Sequence, residues 1–226
     1  MKKIAIIVAG GAGTRMESIL PKQFLLLKNK PILWHSIKAF ASAFDDIEMI
    51  IVLPEEYIEE GVNIAKEFTD AHNIDFVKGG NTRFDSVKNG LGLIKEEAII
   101  FVHDAVRCLV SAEMIQRCYE QALHQGNAVP AIVATDTIRM IDGDKSISID
   151  RNKIRIIQTP QTFQSTILLP AFEQEYRETF TDEASVAESF GKKIFLIDGE
   201  VENIKITRPI DLMIAEKVLE KRIYKS

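Results

Sequence analysis

The stretch from Val8 to Phe24, V-A-G-G-A-G-T-R-M-E-S-I-L-P-K-Q-F, constrains this chain more than any other. It continues an apolar run, Ile4 to Val8, that is short and β-branched enough to predict a buried strand at the centre of a parallel sheet. The strand empties directly into glycines. Gly10, Gly11 and Gly13 open backbone conformations closed to other residues and let an anion rest against bare N–H groups. Arg15 and Lys22 add two cations, and Pro21 stiffens the chain immediately before Lys22. Together these residues predict a polyphosphate site at the end of the first strand.

Spacing separates the phosphate loops that this stretch can form. A dinucleotide fingerprint G-x-G-x-x-G begun at Gly11 would need a third glycine where Met16 stands, and its acidic partner is missing from the region of Leu33, Trp34 and His35. A P-loop needs Gly-Lys-Ser/Thr, which this stretch lacks. What is left, glycines, then Arg, then Pro-Lys, resembles the signature of nucleotidyltransferases that activate a sugar phosphate or polyol phosphate with a nucleoside triphosphate. The alternative is a glycine turn beside two solvated cations.

With 226 residues, 46% of them hydrophobic, the chain is long enough for one sizeable core, and no Pro/Gly/Ser-rich linker divides it, so one domain over 1–226 is expected. A net charge of −5 argues against non-specific nucleic-acid or membrane-surface binding, and leaves phosphate to a local basic patch. Cys108 and Cys118 form neither a disulfide framework nor a paired metal motif and fit a reducing cytoplasm. The first strand starts too early for a signal peptide, and no apolar run reaches the roughly 18 residues of a membrane span.

Along the chain, strands and helices alternate. Helices are expected at Ile32 to Phe44, Glu55 to Phe68, Arg83 to Ile94 and from an N-cap at Ser111 to Gln125; strands at Ile47 to Leu53, Ile74 to Val77 and Ala98 to Val102. The third strand leads into a second glycine turn, G-G-N-T-R-F-D-S, and the fourth ends in H-D-A-V-R at the sheet's carboxyl edge, where open α/β folds bind ligands. After a strand at Ala131 to Ala134, the run Thr137 to Ile141, the turn Asp142 to Asp144 and Ser146 to Ile149 predict a hairpin, followed by an apolar run at Ile154 to Ile157 and the turn Q-T-P-Q. A projecting apolar hairpin predicts pairing with a second subunit. Then come a helix at Ser165 to Glu178, a second helix after T-D-E-A-S, a strand at Lys193 to Ile197, and a last helix opened by Thr207 and Pro209 with Ile210, Ile214, Val218 and Leu219 on one face.

The ordered set G-G-A-G-T-R-M, L-P-K-Q-F, G-G-x-x-R-x-D-S, V-H-D-A-V-R, Q-T-P-Q-x-F, T-D-E-A-S and N-I-K-I-T-R-P resembles the 2-C-methyl-D-erythritol 4-phosphate cytidylyltransferase family over nearly the whole chain. The resemblance implies a Rossmann-like three-layer α/β nucleotidyltransferase fold with a mainly parallel central sheet, and a projecting β-hairpin dimerisation arm at about 136–158. It implies a cytoplasmic homodimer, with Mg²⁺ and with CTP as co-substrate, in non-mevalonate isoprenoid biosynthesis. Arg15, Lys22 and Lys205 match the catalytic cations. Ala9, Gly10, Gly11, Gly13, Gly80, Asn81 and Ser86 match the CTP site. Asp104, Arg107, Thr137, Arg151 and Thr181, with Asp182 nearby, match the polyol-phosphate site, Thr137 and Arg151 reaching in from the partner subunit; Asp104 is also the candidate Mg²⁺ ligand. His103, Arg83 and Asp85 are expected to be structural, the last two paired with each other.

Gly10, Val106 and Cys108 depart from the commoner family residues. The Gly-Gly pair and Val106 are similar to the related ribitol 5-phosphate cytidylyltransferases, whereas T-D-E-A-S and the R-P after N-I-K-I-T favour the methylerythritol enzyme. A nucleotide-binding protein without turnover is the more distant alternative, and the joint presence of Arg15, Lys22 and Lys205 argues against it.

Overall fold

The protein is described from a computed structural model that covers residues 1–10, 20–70 and 72–223. Gly11, Gly13 and Arg15 therefore lie outside the described residues. The elements run in chain order as β1 (Lys2–Val8), β2 (Leu26–Leu27), β3 (Lys30–Pro31), α1 (Ile32–Ala43), β4 (Ile47–Leu53), α2 (Ile58–Ala65), β5 (Ile74–Lys78) and α3 (Arg83–Leu91). They continue with β6 (Ala98–Asp104), α4 (Ala112–Gln125), β7 (Asn127–Val133), β8 (Ile138–Asp142), β9 (Lys145–Ile149), β10 (Arg155–Ile157) and β11 (Gln161–Gln164). The chain then forms α5 (Ser165–Ala171), α6 (Glu183–Ser189), β12 (Leu196–Asp198) and α7 (Pro209–Ile223).

The central sheet has the order β5-β4-β1-β6-β11-β7, with β10 and β12 also on β7. β5, β4, β1 and β6 are mutually parallel. From β1 the chain winds outward to β4 and β5, then returns to lay β6 on β1's other side. That reversal opens a crevice beyond the carboxyl ends of β1 and β6, the place where doubly wound sheets bind ligands. Ile4 and Ile6 face one layer, with Phe84, Val87 and Leu91 of α3. Ala5 and Ile7 face the other, with Leu33, Ile37 and Phe40 of α1 and Met114, Ile115 and Cys118 of α4. Burial on both sides is why β1 reads as a continuous apolar run instead of an alternating one.

The expected helices and strands of the first two-thirds are present, with ends that differ by a few residues. Three differences are informative. The segment Q-T-P-Q, expected to be only a turn, leads into β11, a buried antiparallel strand inserted between β6 and β7. Its residues are Gln, Thr, Phe and Gln, which lack the apolar signature of a central strand; neighbours on both edges supply the backbone partners that make it one. The helix expected over Ser165 to Glu178 stops at Ala171, just past Pro170, and Phe172 instead stacks on Phe84 with ring centres 4.7 Å apart. On α7, Ile210 and Ile214 are exposed, while Leu212, Ala215, Val218 and Leu219 pack against the cluster of Leu27, Ile32, Leu109 and Ile206. Asp211 fixes that rotation by accepting from the Thr207 and Arg208 N–H groups, both at 2.8 Å.

The hairpin forms as expected from β8 and β9, joined through Gly143 and Asp144, as a two-stranded sheet of its own. Met140, Ile141 and Ile147 are exposed on it, Ile141 at 70%. Among the described residues no helix is long and apolar enough to cross a membrane.

Phe163, fully buried on β11, ties the inserted strand to the α3 and α5 side of the core. Phe163→Ala is expected to cost roughly 3–5 kcal/mol by leaving a cavity. Urea denaturation checks this, with the midpoint falling and the slope unchanged.

Candidate active site

The crevice collects the second glycine turn, the end of β6 and the segment before α7. Thr82 and Asp85 form a capping box at the start of α3: the Thr82 hydroxyl accepts from the Asp85 N–H, and the Asp85 carboxylate accepts from the Thr82 N–H, each at 3.1 Å. This fixes the turn ahead of the helix. Ser86, one turn on and 3% exposed, donates to the Thr82 carbonyl at 2.9 Å and accepts from the Gly80 N–H at 3.1 Å. A Cβ on Gly80 would lie 2.2 Å from Asp85 Cβ, and one on Gly10 would lie 3.2 Å from Ser86 Oγ. Glycine is therefore what lets β1's exit and this turn approach each other. Ala9 donates to the Val52 carbonyl at 2.9 Å and its own carbonyl accepts from buried Gln23 at 2.7 Å. Asn81 stands exposed at the rim.

Lys22 begins a single 3-10 turn, Lys22–Phe24, that follows Pro21. Its ammonium donates to the Thr207 carbonyl at 3.1 Å, which sets the Pro-Lys segment against the N-I-K-I-T segment that carries Lys205. Ile206 is fully buried and Ile204 packs on the same cluster, so the backbone there is anchored on both sides of Lys205. The Lys205 ammonium lies 2.7 Å from Asp104 Oδ2. Asp104 Oδ1 accepts from Arg83 Nε at 3.1 Å. Burial would raise the Asp104 carboxyl, but Arg83 and Lys205 outweigh it and hold the group well below the usual carboxylate range.

His103, fully buried beside it, is a hydrogen-bonded framework residue. Nε2 lies 3.2 Å from the Arg107 carbonyl, which can only accept, so Nε2 carries the proton. Nδ1 lies 3.1 Å from Thr159 Oγ1, which itself accepts from the Asp104 N–H. Burial lowers the His103 pKa to about 3.

One expectation needs correction. Arg83 and Asp85 do not pair: Asp85 belongs to the capping box, whereas Arg83 Nη1 and Nη2 grip Glu183 at 2.6 and 3.1 Å. Helical geometry explains it, since the N3 side chain turns back to the cap while the N1 side chain projects towards the sheet edge. Arg107, expected to orient a substrate phosphate, spends Nη1 on the Asn203 carbonyl at 2.9 Å and Nη2 on the Ile157 carbonyl at 3.2 Å. Here it holds the loop together. Thr181 is exposed ahead of α6, whose start is fixed by Asp182 and by Gln161. Thr137 and Arg151 lie exposed on the arm, where Arg151 donates to the Thr135 carbonyl at 2.7 Å. Glu183, fully buried, is the site-forming residue that the sequence reading passed over; the sole signal was its place in T-D-E-A-S. A separate cavity of about 970 Å³, between α1 and α7, is lined by none of these residues.

A family model described as 2-C-methyl-D-erythritol 4-phosphate cytidylyltransferase matches residues 3–221. The chain belongs to this family. Among relatives of that name, the Phocaeicola vulgatus protein is 42% identical over 219 residues, covering 97% of this chain and 100% of that one. The Clostridium botulinum (strain Langeland) protein is 37% identical over 230 residues, covering 97% and 98%. The solved structure of 4-diphosphocytidyl-2C-methyl-D-erythritol synthase from Anaerococcus prevotii superposes with a TM-score of 0.83 at 26% identity, over 97% of this chain and 99% of that chain. As members of one cytidylyltransferase family, these chains share the mixed α/β fold with its mainly parallel sheet.

The buried neutral state of His103 has a measurable consequence. Between 6.5, its ordinary value, and about 3, the unfolded chain binds a proton that the native state refuses. Stability therefore falls as pH falls, by roughly 1.4 kcal/mol per pH unit from this group. His35, lowered by burial, acts with the same sign. Urea titrations between pH 6.5 and 5 are expected to show a shallower slope for His103→Gln than for the native chain.

Proposed function

We propose that this chain transfers the cytidylyl group of CTP to 2-C-methyl-D-erythritol 4-phosphate. A phosphate oxygen of the polyol attacks the α-phosphorus, the bond to the β-phosphate breaks, and 4-diphosphocytidyl-2-C-methyl-D-erythritol and pyrophosphate leave. The observation that carries the reading is the meeting of Lys22 and the Lys205 segment beside a glycine-walled pocket at the carboxyl edge of β1 and β6, in a chain of this family.

A phosphate monoester is already a sufficient nucleophile near neutral pH, so no side chain need take a proton, and the neutral, committed His103 fits that. Catalysis is then positioning and charge compensation. Lys22, Lys205 and, from the glycine loop, Arg15 meet the charge that grows around the α-phosphorus. In the base pocket, the Ser86 proton is already given to the Thr82 carbonyl, so its oxygen presents an acceptor. An acceptor suits the amino group of cytosine and not the carbonyl of uracil. Main chain at Ala9 and Gly10 and at Gly80 and Asn81 closes the pocket against a purine.

Asp104 spends one oxygen on Arg83 and the other on Lys205, and among the described residues no group of three potential ligands gathers around a metal position. It does not fit a magnesium site in this arrangement. Mg²⁺ is proposed to arrive on the triphosphate, held by phosphate oxygens and water, where it would neutralise phosphate charge. The whole chain is read as one cytidylyltransferase domain working in the cytoplasm as a homodimer. Its arm, 136–158, brings Thr137 and Arg151 to the partner's polyol site, which Thr181 and Arg107 border.

Pyrophosphate release with CTP and Mg²⁺ tests the reading, with methylerythritol phosphate and ribitol phosphate offered in parallel and ATP, GTP and UTP as controls. Release with methylerythritol phosphate and CTP is expected; silence with both acceptors would overturn the assignment. Lys205→Ala should lower the rate about a hundredfold or more, a loss of about 3 kcal/mol in the barrier, with the fold intact. Ile141→Asp should yield monomers in sedimentation analysis if the apolar arm joins two chains.

A further inference from the structure

Glu183 has no exposed surface, yet it carries a carboxylate. An ionic group buried this deeply persists only where a partner compensates it. Here the partner is Arg83, which meets both carboxylate oxygens, at 2.6 and 3.1 Å. The same guanidinium then donates its Nε–H to Asp104 Oδ1 at 3.1 Å, and Asp104 Oδ2 holds Lys205 at 2.7 Å. The four groups come from four places: the first residue of α6, the first residue of α3, the last residue of β6 and the segment before α7.

The guanidinium is planar and rigid. Two donors fixed on Glu183 set the plane, and the plane sets the direction of Nε–H. Asp104 is thereby held by one oxygen and turned so that the other faces Lys205. Glu183 also neutralises Arg83, which stops Arg83 from taking both Asp104 oxygens and displacing the lysine. We propose that Glu183 is a positioning residue for phosphoryl transfer: it grips the Arg83 fork, and through Arg83 and Asp104 it fixes where the Lys205 ammonium stands. The inference rests on the cytidylyl-transfer reading of this site. It assigns a role to a residue 100 positions from Arg83 in sequence.

A buried ion pair that merely pins α6 to α3 would also explain the burial, and a mutant cycle separates the two. Glu183→Gln keeps an acceptor and the side-chain shape but removes the charge. Positioning predicts a fall in kcat on the order of a hundredfold in the folded variant, with the KM for CTP within about threefold of native. Added to Asp104→Asn, it should bring no further loss beyond about twofold, because both changes break one chain of contacts. Arg83→Lys, which keeps the cation and drops the fork, should reproduce the kcat loss, and it is read in place of Glu183→Gln if that variant does not fold. Native kcat in both single variants, or losses that multiply in the double variant, would overturn the proposal. An inactive native enzyme would instead overturn the functional reading and this inference with it, so the native control distinguishes the two failures.

Discussion

A carboxylate set at the end of a central strand cannot stay there unpaired, and much of this site follows from that. Asp104 closes β6 with only 8% of its surface exposed. Burial alone would push it towards the neutral acid, so its charge has to be met by cations brought in from elsewhere in the fold. Arg83 comes from the start of α3 and Lys205 from the segment ahead of α7. Arg83 in turn is compensated by Glu183 on α6. One alternating chain of charges thus ties three separate segments to the sheet edge. The energy that would be lost by breaking any link is what keeps the Lys205 ammonium in one place.

The rest of the pocket is built from backbone, and that depends on the sheet beneath it. β1, β4 and β6 are apolar on both faces and covered by helices on both sides, so their ends are rigid platforms. From β1, and from β5 at β4's other side, the chain leaves in tight turns that a side chain would crowd: Gly10 sits against Ser86, and Gly80 against Asp85. A capping box and a serine hydroxyl finish the second turn. The turn's polar atoms are mostly satisfied within the protein, so the turn is held in one conformation by its own hydrogen bonds.

Much of this was legible in advance, for local reasons. Runs of β-branched residues, Pro and Gly punctuation and the Ser111 cap place most elements within a few residues, and the order of seven short motifs names the family. Lys22, Lys205, Asp104, Gly80 and Ser86 stand together at the crevice. The phosphate-loop expectation for Gly11, Gly13 and Arg15 falls outside the described residues. What escaped is of one kind. β11 has the composition of a loop, and it becomes a strand because β6 and β7 offer it hydrogen bonds on both edges. The α7 face shifted because a cap at Asp211 and a hydrophobic cluster on β2 and α1 set the helix's rotation. Arg83 and Asp85, two residues apart, looked like partners, yet the helix start sends them in different directions.

By itself the sequence determined most of the elements and the family, because strand, cap and turn preferences act over a few residues and the motifs keep their order. Only the tertiary structure decided which charges compensate one another. Ion pairing is set by distance in space, and Glu183 reaches Arg83 across 100 residues of chain through the docking of α6 beside α3. Arg107, next to the same strand end, was drawn to backbone carbonyls by the same logic: a half-buried guanidinium takes the nearest acceptors the fold provides, and those were not predictable from its neighbours in sequence.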